Sequence, residues 1–90
     1  VKFMCKKMII KTVSVFHKEV KIVYNLLFTE AFYSLECYIE GKDKEEIVNY
    51  SIAKNITDDE GEAEFFFKYM IKGKVLPIHI KDVAQDYFRV

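Results

Sequence analysis

The stretch "IVNYSIAKNITDDEGEAEFFFKYMI", residues 47–71, changes its hydrophobic period near its middle. Before Asn55, the apolar residues Val48, Tyr50 and Ile52 alternate with polar ones, which is typical of a strand with one covered face. After Asn55, apolar residues recur at spacings of three and four, as on one side of an α-helix. The residues of this stripe are Ala63, Phe66, Phe67, Met70 and Ile71. The sequence therefore predicts a sheet followed by helices.

The segments before this stretch continue the two-residue period. We predict strands over Ile9–Phe16, Val20–Phe28, Phe32–Glu40 and Ile47–Ala53. The connections between them are short, and "GKDK" (41–44) is the strongest turn signal. Short connections favour antiparallel pairing of consecutive strands, because parallel pairing needs long crossovers.

The segments after residue 56 carry helix start and stop signals. "TDDE" (57–60) has the spacing of a capping box, with Thr57 as the N-cap and Glu60 reaching back to it. Gly73 is a candidate for the residue just past the first helix. Pro77 suits the first turn of a second helix. The apolar stripe of that helix comprises Ile80, Val83, Ala84, Tyr87 and Phe88.

These patterns predict one α+β domain over residues 1–90. It consists of an antiparallel β-meander of three to four strands, followed by two C-terminal helices packed on one sheet face. Ninety residues, of which 51% are hydrophobic and 16% aromatic, are enough for one core and too few for two.

The charge balance argues against a nucleic-acid-binding protein. The formal net charge is zero, whereas nucleic acid requires a basic surface. The charge is unevenly spread, because residues 1–30 contain six Lys and only two Glu. A weak nucleic-acid contact through this Lys-rich part is therefore kept as a third hypothesis, although Glu36 and Glu40 beside the aromatic residues of the third strand would repel phosphate.

The two cysteines, Cys5 and Cys37, show no metal-binding spacing. A disulfide between them would require the fold to bring them together. Cys37 lies in an alternating apolar segment, which favours a buried free thiol and a reducing cytoplasm. Neither a run of 18 apolar residues nor a signal peptide with a cleavage site is present, so we expect a cytoplasmic protein.

Two groups of residues are candidates for a functional surface. His79, Asp82 and Asp86 share one side of the second helix and could bind a metal or transfer protons, but capping and solvation are the simpler explanation. The second group would lie on the sheet face opposite the helices, where exposed apolar area marks an interface. This candidate interface comprises Val23, Leu27, Phe32 and Tyr38. Alternatively, residues 1–10 fold back over that face.

The end of the chain is similar to a known pattern. Residues 58–88, "DDE…FFFKYMIKGKVLPIHIKDVAQDYF", resemble a family of small uncharacterised clostridial proteins with a strand-rich front and a terminal S-P-x-H-L-x-D-V-x-E-D-F pattern. The matching positions are Pro77, His79, Ile80, Asp82, Val83, Asp86 and Phe88. Leu76 and Gln85 depart from the pattern, replacing a Ser and an acid. The resemblance implies a cytoplasmic bacterial protein of unknown function and carries no activity over.

The sequence thus favours a small protein–protein interaction or regulatory module without catalysis, acting as a homodimer or on a protein partner. The alternative is a small metal-dependent or acid–base enzyme that uses His79, Asp82 and Asp86. We expect no cofactor, no catalytic or metal-binding residue in the preferred interpretation, and no membrane association.

Overall fold

A computed structural model describes residues 8–88, which form a four-stranded sheet and two helices. The strands are β1 (Met8–His17), β2 (Val20–Thr29), β3 (Phe32–Ile39) and β4 (Tyr50–Thr57). The helices are α1 (Glu60–Lys72) and α2 (Pro77–Phe88). The predicted α+β class and element order are confirmed.

The sheet is a meander in the order β1-β2-β3-β4, and each neighbouring pair is antiparallel. Two-residue turns join the first three strands, with φ of 51° and 69° at Lys18 and Glu19 and of 50° and 78° at Glu30 and Ala31. Positive φ at both central residues matches the twist of a hairpin but normally favours Asn and Gly. Because neither residue type is present, the hydrophobic alternation of the strands must set the register.

The fourth strand starts and ends later than predicted. Ile47 and Val48 lie in the preceding turn and are exposed, whereas the strand continues to Thr57. The continuation depends on an irregularity in the pairing with β3, where Asn55 adopts a φ of 53° and its backbone N–H donates to Ser34 Oγ at 2.9 Å. This bulge shifts the alternation, so Ile56 joins the core.

The start of α1 is capped two residues later than the capping-box pattern predicts. Asp59 is the N-cap, and its carboxylate accepts from the Glu62 N–H at 2.8 Å. Thr57 instead accepts from the Asp59 N–H at 3.1 Å and donates to the Glu62 carboxylate at 3.2 Å. The acidic segment therefore caps the helix, as expected, but through Asp59 and one helix N–H, that of Glu62.

The end of α1 also differs by one residue from the prediction. Gly73 keeps a helical conformation, and the left-handed position is Lys74, with a φ of 49°. The Lys74 N–H donates to Ile71 O and the Val75 N–H donates to Met70 O. These two bonds form a Schellman motif, in which the left-handed residue usually is glycine.

Both helices cover the same sheet face, as predicted. Their apolar stripes meet β2, β3 and β4 in one core, and α2 lies mainly against β4. The residues of this core that expose less than 2% of their surface include Ile22, Tyr24, Leu26, Leu35, Cys37, Phe66, Met70 and Ile80. The outer edge of the helical layer adds aromatic contacts, with ring centroids of Phe66 and Tyr87 4.9 Å apart.

The link between the two helices is hydrogen-bonded to side chains of the sheet. Val75 O accepts a hydrogen bond of 2.8 Å from the Tyr24 hydroxyl and lies 3.8 Å from Cys37 Sγ. Tyr24 and Cys37 are directly paired across β2 and β3. The linker carbonyl is thus satisfied inside the core, where an unpaired carbonyl would be costly.

Candidate binding surfaces

The sheet face opposite the helices, here called the open face, carries a hydrogen-bonded row across all four strands. Thr12 of β1 donates to Asn25 Oδ1 at 2.7 Å, and Asn25 Nδ2 donates to Glu36 Oε1 at 2.9 Å. The Tyr50 hydroxyl of β4 donates to the other carboxylate oxygen, Glu36 Oε2, at 2.8 Å. This polar row fixes the carboxylate at the middle of the face, since both of its oxygens accept a bond.

Burial and the polar row both raise the pKa of Tyr50. Burial, followed by the hydrogen bond to Glu36, raises the pKa of Tyr50 to about 12. The phenol therefore remains a neutral donor throughout the physiological range. Among the described residues, no Lys or His nitrogen lies within 4.0 Å of the Glu36 carboxylate. The open face thus has a negative charge at its centre without a cationic partner in the described chain.

The four predicted interface residues all lie on the open face, but they are not equally accessible. Val23 and Leu27 expose only 5% and 2% of their surface, so the expectation of exposed side chains is wrong for these two. Phe32 is 41% exposed, and the ring of Tyr38 is half-buried under Lys44 Nζ, 3.9 Å from its centroid.

The most exposed aromatic side chain of the open face is Phe16, at 72%. It pairs with Lys21 at one end of the sheet, whereas Phe32 pairs with Thr29 at the other end. Sequence reasoning assigned Phe16 to a strand without placing it on a face. Its two-residue spacing from Ser14 and Thr12 could have predicted that Phe16 lies on the same face as these polar residues.

A groove of about 570 Å³ runs between β4 and α2 at the edge of the sheet. Lys54 and Lys81 line its two sides, and Ala53 and Ala84 leave room between them. Both lysines are exposed, and among residues 8–88 neither has a carboxylate within 4.0 Å. The sequence did not reveal this groove, since it depends on where α2 lies against the sheet.

The polar stripe of α2 stands apart from these surfaces. His79, Asp82 and Asp86 are all exposed, and none lines the groove. In the described part of the chain, no group of three His, Cys, Asp or Glu side chains is arranged to hold a metal ion. His17, the other histidine, is the half-buried last residue of β1.

Cys37 is a buried free thiol, as expected. Burial, more than the nearby charge of Glu36, raises its pKa to about 12, so the thiol is protonated at neutral pH. Cys5, and most of the segment 1–10 that could fold back over the open face, lie outside the described residues. Within residues 8–88, neither helix is long and apolar enough to cross a membrane.

The strands and surfaces described above all fall within one family match. The sequence model of DUF6514, a family of unknown function, matches residues 5–90. The chain belongs to this family. No curated protein and no solved structure matches the chain significantly. Membership in DUF6514 confirms the expectation of a family whose function is unknown, and it assigns no activity to the open face or the groove.

Proposed function

We propose that this DUF6514 chain is a small protein-interaction module without catalysis, and that it associates with a second copy of itself through the open face. As the resemblance to clostridial proteins implies, we place it in the bacterial cytoplasm. The observation that carries the proposal is the position of the two exposed aromatic residues, Phe16 and Phe32, relative to the polar row.

The layout of the open face suits an isologous contact. Phe16 pairs with Lys21 and Phe32 pairs with Thr29, so Asn25 of the polar row lies midway between them along β2. Each ring is four residues from Asn25, or about 14 Å along the strand. The rings also lie on strands on opposite sides of β2. A two-fold axis parallel to the sheet, passing above Asn25 and perpendicular to the line between the two rings, would then place Phe16 of each copy on Phe32 of the other.

The net charge of the chain permits self-association. The formal net charge is zero, so two copies do not repel each other. The open face has the Glu36 carboxylate at its centre and Lys54 toward its periphery. In this arrangement each Glu36 carboxylate lies near the Glu36 of the other copy, and the hydrogen bonds from Asn25 and Tyr50 within each chain partly offset their repulsion.

Sedimentation velocity with matched Phe→Glu variants tests this proposal. The wild type should sediment as a dimer, whereas Phe16→Glu and Phe32→Glu should each be monomeric with unchanged circular dichroism. Phe65→Glu is the control, because Phe65 is 64% exposed on α1, on the opposite side of the molecule. A wild-type protein that remains monomeric at 200 µM, a concentration on the order of the dissociation constants of weak complexes, would refute self-association. Dissociation of the dimer by Phe65→Glu alone would place the contact on the helices.

A further inference from the structure

The outer edge of β4 offers main-chain hydrogen-bonding groups to a further strand. β4 is the last strand of the sheet and has β3 as its only described neighbour. The Ile39 N–H donates to Asn49 O, so in this register Ser51 and Ala53 point their main-chain groups toward β3. The alternate residues, Ile52 and Lys54, therefore direct theirs away from the sheet, toward the groove that they line.

The groove has the dimensions and the neighbours of a site for an extended segment. β4 forms one wall and α2 the other, with about 570 Å³ between them. Its buried lining residues include two with small side chains, Ala53 and Ala84, which expose 7% and 5% of their surface. The bulge at Asn55 ends the regular edge, because its φ of 53° turns the strand and its N–H is already bound to Ser34. The usable edge is therefore short.

The charges of the groove select the chemistry of its occupant. Lys54 from β4 and Lys81 from α2 project from opposite walls, and neither is neutralised by a described carboxylate. Gln85 adds an amide that can donate to an anion. We propose that a short acidic segment of another protein binds here as a fifth strand beside β4, with its backbone on Ile52 and Lys54 and its carboxylates on the two lysines.

This site is separate from the proposed dimer contact, and a peptide titration distinguishes them. The probe is a fluorescein-labelled octapeptide of alternating Glu and Val, followed by fluorescence anisotropy and by chemical shifts of the protein amides. The peptide should perturb residues 52–54 and 81–85, and Lys81→Glu should weaken binding about tenfold. Lys68→Glu, an exposed change on α1, should leave the affinity unchanged, as should Phe16→Glu.

Two further probes separate backbone pairing from simple charge attraction. The same peptide with N-methyl groups on alternate residues keeps its charge but loses main-chain donors, and it should bind at least about tenfold more weakly. The proposal would be overturned if the methylated peptide bound as tightly as the unmodified one, or if Lys81→Glu bound as tightly as the wild type. It would also be overturned if an equimolar thymidine octanucleotide displaced the peptide, or if the Glu–Val peptide did not bind at 1 mM. None of these outcomes bears on the Phe16 and Phe32 contact, which the sedimentation experiment tests by itself.

Discussion

The Tyr24 hydroxyl lies 2.8 Å from Val75 O and joins the centre of the sheet to the linker between the helices. Removing this hydroxyl leaves a buried carbonyl with only the weak Cys37 thiol contact at 3.8 Å. Tyr24→Phe should therefore lower the free energy of unfolding by about 1–2 kcal/mol in urea denaturation. Tyr33→Phe is the control, since no hydrogen bond of the Tyr33 hydroxyl is found among the described residues. Equal losses in the two variants would contradict this role.

The cap of α1 gives a test of two neighbouring carboxylates. Asp59 accepts from the Glu62 N–H, whereas Asp58 is exposed and makes no described hydrogen bond. Asp59→Ala should cost about 1 kcal/mol of unfolding free energy and Asp58→Ala less than about 0.5 kcal/mol. Thermal unfolding of the two variants checks the difference. A larger loss for Asp58→Ala than for Asp59→Ala would contradict the assignment of Asp59 as the N-cap.

The left-handed residue after α1 predicts a stabilising substitution. Lys74 has a φ of 49°, which glycine adopts without steric cost. Lys74→Gly should raise the free energy of unfolding by about 0.5–1 kcal/mol. Lys72→Gly, two residues earlier and inside the helix, should lower it by up to about 1 kcal/mol. Urea midpoints of this matched pair should move in opposite directions, and a shared direction would argue against the Schellman geometry.

The buried thiol makes stability depend on alkaline pH. Burial raises the pKa of Cys37 from 9.0 to about 12, so the folded state keeps a proton that the unfolded state releases above pH 9. The contribution is complete below pH 9 and is lost between pH 9 and 12, with a slope approaching 1.4 kcal/mol per pH unit for one proton. Tyr24 and Tyr50, whose pKa values are also raised by burial, add to the loss above pH 10.

Urea midpoints measured between pH 8 and 10 isolate the thiol, because the tyrosines titrate higher. Cys37→Val should flatten the decline between pH 9 and 10 relative to the wild type, whatever its effect at pH 8. An unchanged slope would show that Cys37 ionises equally in the folded and unfolded chain.

The parts of the fold that the sequence predicts are those decided by local burial. The stripe that contains Phe66 and Met70 is read correctly because one helix face must enter the core. The sequence does not fix the N-cap residue of α1, since "TDDE" offers three consecutive residues able to cap. The strand reaches Thr57 because of the bulge at Asn55, which no periodicity predicts. Hydrophobic periodicity therefore predicts which strands and helices form, whereas a local irregularity such as the bulge changes the residues at which they begin and end.

The surfaces depend on tertiary placement that no local pattern contains. Alternation assigns Val23 and Phe32 to the open face, but it does not reveal that Val23 is buried and Phe32 is exposed. Spacing along α2 puts His79 and Asp82 on one side of the helix, but it does not show that this side is exposed and lies away from the groove. The groove between Lys54 and Lys81 joins residues 27 positions apart and follows from the docking of α2 on β4.

The polar row of the open face should behave as one unit. Asn25→Leu leaves the Glu36 carboxylate short of a donor, and Glu36→Leu leaves the Asn25 amide and the Tyr50 hydroxyl without their acceptor. Each single change should cost about 1–3 kcal/mol of unfolding free energy, but the double change should cost at least about 1 kcal/mol less than their sum, because it removes both partners of the bond. The control pairs Asn25→Leu with Asp59→Ala, whose hydrogen bonds are separate, and these costs should add within about 0.5 kcal/mol. Urea denaturation of all the variants gives the coupling, and additive costs for Asn25 and Glu36 would show that their 2.9 Å contact does not stabilise the sheet.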